Sequence, residues 1–125
     1  SDDDRVRNSA VYALGKIGPA AKAASPELRK LLAGDDDFAR FGATWALVRI
    51  DPNDAKMVAA AVPALVKGLS DERPLVRAES AATLGELGPA ANSALPELKK
   101  AAEDPEQPVS DAARQAIERI NGGKG

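Results

Sequence analysis

The sequence predicts an all-α chain folded as an α-solenoid, a right-handed superhelix of antiparallel helix pairs with about seven helices in three to four repeats. Three observations lead there. The chain aligns with itself at a constant offset, and small and apolar residues recur at helical spacing within each copy. Hydrophobic residues make up 44% of the chain but aromatic residues only 3%, so the interior must be built from Ala, Leu, Val and Ile, which suit closely packed helices.

The internal repeat is the strongest of the three. Residues 14–30, LGKIGPAAKAASPELRK, match residues 84–100, LGELGPAANSALPELKK, with the same Leu, Gly, Gly-Pro and Pro-Glu-Leu positions. Two periods fit inside that offset, because Arg7, Arg40, Arg77 and Ser110 are equivalent and the middle unit absorbs a few extra residues around Asn53 to Val58. The units run over about residues 1–33, 34–70, 71–103 and 104–121, one domain in all, followed by a flexible tail over residues 122–125.

Each unit opens with a helix that starts in an acidic cluster and continues with Val-Arg and small apolar residues. In the first copy Val6, Ala10, Ala13, Leu14 and Ile17 share one face, and the later copies repeat it with Ala39, Ala43, Ala46, Leu47 and Ile50, then Val76, Ser80, Thr83, Leu84 and Leu87, then Val109, Ala113, Ala116, Ile117 and Ile120. That face is the expected core. Gly18-Pro19, Asp51-Pro52, Gly88-Pro89 and Asn121-Gly122 stop these helices, and carboxylates at Asp2–Asp4, Asp35–Asp37, Asp71-Glu72 and Asp104–Glu106 cap their starts. The second helix of each unit carries Pro26, Pro63 or Pro96, where the missing N–H makes the helix start or bend. Gly15 and Gly85, inside Val-Arg helices, cost about 1 kcal/mol each relative to Ala and imply that a neighbour passes close to the backbone.

This pattern of acidic turn, Val-Arg, Ala-Leu-Gly, Ile-Gly-Pro and Pro-Glu-Leu resembles HEAT repeats, in particular the short bacterial HEAT-like type also seen in phycobilisome lyase subunits. The resemblance covers nearly the whole chain, although the fourth unit replaces the repeat Arg with Ser110. It implies that the Val-Arg helices line the concave face of the solenoid and the proline-bearing helices its convex face. It also implies that Arg7, Arg40 and Arg77 form a structural ladder with turn aspartates of neighbouring units. The first Val-Arg helix has no proline-bearing partner before it, so an apolar end is expected to stay uncovered, as in a segment excised from a longer solenoid or a chain that self-associates through its ends.

Composition excludes several function classes. With no Cys and no His there is no disulfide, no thiolate or imidazole metal ligand, no cysteine nucleophile and no histidine base. The Asp triplets lack the alternating spacing of an EF-hand loop, so neither a metal nor a cofactor is expected. The chain carries 17 basic against 19 acidic residues, which gives no positive field for nucleic acid, and it has no apolar run long enough for a membrane span. The expectation is a non-enzymatic, soluble and cytoplasmic module that binds a protein or peptide.

The candidate site rests on the four aromatic residues, Tyr12, Phe38, Phe41 and Trp45, none at an expected core position. Tyr12 and Trp45 occupy the same repeat position, with Lys16 and Arg49 one turn beyond, and the resemblance turns this row toward the concave groove. Aromatic residues and Arg are enriched among interface hot spots. The alternatives are an accessory subunit of a phycobilin-lyase-like enzyme, its rings cradling a planar pigment, and a purely architectural segment whose rings cover the end of the stack. Lys22, Arg29, Lys30, Lys56, Lys67, Lys99 and Lys100 on the proline-bearing helices read as a solvated face.

Overall fold

A computed structural model describes residues 2–34 and 36–122, without the side chains of Asp2 and Asp37. The tail expected over residues 122–125 lies, after Gly122, outside the described residues, as do the caps expected at Asp35 and the side chains of Asp2 and Asp37. Among the described residues the chain is helical: α1 (Asp2–Ile17), α2 (Ser25–Leu32), α3 (Asp37–Ile50), α4 (Ala55–Gly68), α5 (Pro74–Leu87), α6 (Leu95–Ala101) and α7 (Gln107–Ile120). None of these helices is long and apolar enough to cross a membrane. The chain divides into two compact units, one up to Met57 and one from Val58.

The sequence repeat reappears in the backbone. Gly18 and Gly88 both take positive φ and end α1 and α5, and each is followed by a 3-10 segment, Gly18–Ala24 and Gly88–Ala94. Both segments break at the same place, Ala21 (φ -92, ψ 15) and Ala91 (φ -98, ψ 18), before a second proline restarts the chain as α2 or α6. Pro26 and Pro96 thus open helices, as their fixed φ favours, whereas Pro63 lies inside α4. The sequence did not distinguish a 3-10 approach from a second α-helical stretch.

In the first unit α3 packs against both α1 and α2, and its expected core residues Ala39, Ala43, Ala46, Leu47 and Ile50 are buried. In the second unit α7 packs along α5 and against α6, and Val76, Leu84, Leu98, Val109, Ala113, Ala116 and Ile120 are buried. Ser80 stands where the other copies carry Ala10, Ala43 and Ala113, and its buried Oγ has no hydrogen-bond partner, so it fills a small site rather than bonding across it. Gly85 shows why a glycine is needed in mid-helix: a Cβ there would lie 2.9 Å from Ala116 Cα.

The first copy departs from the expected core. Val6 is 69% and Ile17 58% exposed, Ala10 and Ala13 are exposed, and Leu14 is only half-buried. α1 packs on α3 through Val11 and Gly15 instead. Among the described residues α1 thus leaves exposed the face that α3 buries.

Candidate functional site

Helix capping sets the frame of the site. Asp36 precedes α3 in extended backbone and accepts hydrogen bonds from Phe38 N–H (2.9 Å) and Ala39 N–H (3.0 Å). In the second unit the acidic clusters act two residues before the helix boundary: the boundary residues themselves, Arg73 and Glu106, make no side-chain cap, and Asp71 and Asp104 accept from their N–H groups instead, each at 2.9 Å. Asp54 accepts from Met57 N–H at 3.1 Å at the start of α4, which gives the extra residues of the longer unit their task.

Two of the repeat arginines then tie their Val-Arg helices to the next acidic turn of the same unit. The Arg7 guanidinium donates to Asp36 at 3.1 Å, and Arg77 donates from Nε (2.8 Å) and Nη2 (3.3 Å) to the two oxygens of Asp104. A second tie runs backward: Arg77 Nη1 donates to the carbonyls of Asp71 (2.8 Å) and Glu72 (3.0 Å), and Arg40 Nη1 donates to the equivalent carbonyl of Gly34. Asn8, which the sequence reading passed over, accepts from Arg7 Nε and Nη2 at 3.2 and 3.1 Å and orients it. Its adjacency to the repeat arginine was the available signal.

These bonds lower the carboxyl pKa values. Asp36 and Asp54 are held down chiefly by the backbone N–H groups of Ala39 and Met57, and Asp104 chiefly by the Arg77 guanidinium. Asp71 falls furthest, from 3.8 to about 2, mainly through the Arg73 side chain. Groups whose folded pKa is depressed contribute stability above their unfolded value and lose it below. The fold is therefore expected to keep this stabilisation at neutral pH and to lose it as pH falls through 3.8 toward about 2. Urea midpoints at pH 7, 4 and 2.5 check this: the midpoint should drop mostly between the last two.

Within this frame α1 and α3 bring four of the expected site residues together. The Tyr12 and Trp45 rings stack with centroids 5.3 Å apart and planes 4° from parallel. Arg49 Cζ lies 4.4 Å from the Trp45 centroid, and Lys16 Nζ lies 5.8 Å from the Tyr12 centroid, so each ring carries a cation at one side. Phe38 and Phe41 form a second pair, 6.4 Å apart, on the first turns of α3. Tyr12 is 56% exposed, whereas Phe38, Phe41 and Arg49 are partly exposed.

Trp45 corrects the sequence reading. It is only 5% exposed and belongs to the core of the first unit. The reason is Gly15: a Cβ there would collide with the edge of the indole, so the missing side chain is what lets the ring lie against α1. The equivalent Gly85 admits the Ala116 backbone, and the close approach predicted for both glycines has a different occupant in each unit. The stacking of Tyr12 on Trp45 also closes the space between the two rings that a planar pigment would need.

The basic residues on the proline-bearing segments are less isolated than they read. Lys22 pairs with Asp51 (3.7 Å), Arg29 with Asp54 (3.3 Å), Lys30 with Glu27 (3.2 Å) and Lys100 with Glu97 (3.4 Å). Such exposed pairs contribute less than about 1 kcal/mol each, but they compensate the positive charge locally.

Comparison with known families agrees with this architecture. A family model described as HEAT repeats matches residues 54–118, more than half of the chain, and one described as PBS lyase HEAT-like repeat matches residues 6–34. No curated protein matches the chain.

Proposed function

From the premise that this chain belongs to the HEAT-repeat family, whose repeats commonly serve as protein-interaction scaffolds, we propose that it is a non-enzymatic module that binds a protein or peptide segment across α1 and α3. The observation that supports this reading is the exposed Tyr12 ring held flat on a buried Trp45. A ring already immobilised by its own protein loses little freedom when a partner covers it, so its buried area goes further toward affinity. Lys16 and Arg49 beside the two rings favour a segment that carries carboxylates next to an apolar anchor, with Phe38 and Phe41 offering further apolar surface.

Trp45, being core, is not the residue to truncate in testing this. Affinity capture with the parent chain should be compared with a Tyr12→Ala, Lys16→Glu variant whose thermal unfolding has been checked by circular dichroism. A partner retained by the parent should be lost, or weakened by about tenfold or more, with the folded variant. Identical capture by both would remove the proposed surface.

A further inference from the structure

The aromatic row of the first unit favours a segment that sets a carboxylate beside an apolar anchor, and the second unit of the same chain carries one. Among the described residues Val6, Tyr12, Ile17 and Leu75 are the exposed large hydrophobic residues, and Leu75, at 68%, is the one outside α1. It lies on the first turn of α5, preceded by an exposed Pro74 and an exposed Glu72. We propose that this turn, Glu72 to Leu75, docks on the Tyr12 surface of a second copy of the chain. The proposal rests on the reading of the aromatic row as a binding surface and names its occupant.

The turn is held in one conformation before any contact. Asp71 accepts from the Arg73 N–H (2.9 Å) and from Arg73 Nε (2.8 Å) and Nη2 (2.9 Å), which folds that cation back onto the start of the turn. Arg77 Nη1 donates to the carbonyls of Asp71 and Glu72 and fixes the backbone beneath Glu72. Pro74, in the first turn of α5, has its φ set by its own ring. Little freedom is then left to lose on docking. With Asp71 and Arg73 matched to each other, Glu72 supplies the net charge of the turn beside Leu75.

The receiving surface has the opposite character. The Tyr12 ring is exposed and held flat on Trp45, and the exposed Lys16 brings its ammonium to 5.8 Å from the Tyr12 centroid. Leu75 covers the ring in the proposed contact while Glu72 reaches Lys16, so an apolar pair and a charge pair form side by side, and the opposite signs fix their register. The other acidic turn of the second unit offers no such anchor: the repeat equivalent of Leu75 there is Pro108, and the following Val109 is buried. Every copy carries both halves, so each gives one contact and receives one.

Sedimentation of the parent chain from about 10 μM to about 1 mM tests this, a range that brackets weak contacts. The expected result is a weight-average mass that climbs with concentration and climbs less at high salt. Two variants then separate the halves: Tyr12→Ala, Lys16→Glu removes the receiving surface, and Glu72→Lys, Leu75→Ser removes the docking turn. Glu72 and Leu75 are exposed, so the fold should tolerate their replacement, which circular dichroism checks. Each variant alone should associate more weakly by about tenfold or more. An equimolar mixture of the two should associate again, because each supplies the half that the other lacks. A parent that stays monomeric overturns the proposal, as does association that survives Glu72→Lys, Leu75→Ser, or a mixture of the variants that stays monomeric. A monomeric parent that still captures a partner through Tyr12 leaves the proposed function standing and removes the second copy as its occupant.

Discussion

Trp45→Ala is expected to destabilise the first unit by about 3–5 kcal/mol, the range for emptying a buried large aromatic site. The indole is 5% exposed, stacked on Tyr12, covered by Arg49 and seated over the backbone gap at Gly15. Its removal leaves a void between α1 and α3, which pack on each other with the ring in place, so only a shift of one helix against the other could refill it. Gly15→Ala should be damaging for the complementary reason, because the new methyl group meets an indole that is confined on both faces. The two changes share one cavity and should not add. In the Trp45→Ala background the Gly15→Ala change should become neutral or favourable, since Ala gains about 1 kcal/mol over Gly in a helix. Urea unfolding of the four proteins of the cycle measures this, and additive effects within about 0.5 kcal/mol would contradict the arrangement.

Gly85→Val is the second large effect expected. Even a single Cβ at Gly85 would lie 2.9 Å from Ala116 Cα and 3.0 Å from Ala116 Cβ, and the obstacle is the neighbouring helix itself rather than the end of a flexible side chain. The α5 and α7 pair must separate to admit the side chain, which also pulls Arg77 from its paired contact with Asp104. Overpacking of this kind costs about 1–3 kcal/mol, and a β-branched residue stands at the upper end or beyond. The matching change Ala116→Gly should recover part of the loss by giving the side chain room. Denaturant midpoints of the single and double variants test this, and a Gly85→Val protein as stable as the parent would rule out the close crossing.

Much of this was legible along the chain because a repeat states its own alignment. Once Arg7, Arg40 and Arg77 are equivalent, the burial of Ala43 and Ala113 follows from a common register, and so do the matching breaks at Ala21 and Ala91. The ladder was legible only through a resemblance, and its detail was not: Asn8 bonds to a neighbour in sequence, and Asp71 and Asp104 accept from two positions upstream of the residues where a simple capping rule places the cap. The aromatic row was found as residues but misread in part. Period alone places Tyr12 and Trp45 on equivalent faces, yet one is largely exposed and the other is core.

The sequence by itself determined the all-α class, the helix stops at Gly-Pro, the repeat arginines and the absence of Cys and His chemistry, because these depend on residue type, short-range spacing and count. Tertiary structure alone decided which equivalent positions are covered. Val6 and Ile17 are as apolar as their counterparts, yet among the described residues they are exposed while Ala39 and Ile50 are buried; Trp45 is buried because Gly15 on another helix leaves room for its ring. Burial is a property of neighbours, and in a stack each helix receives a different pair of them.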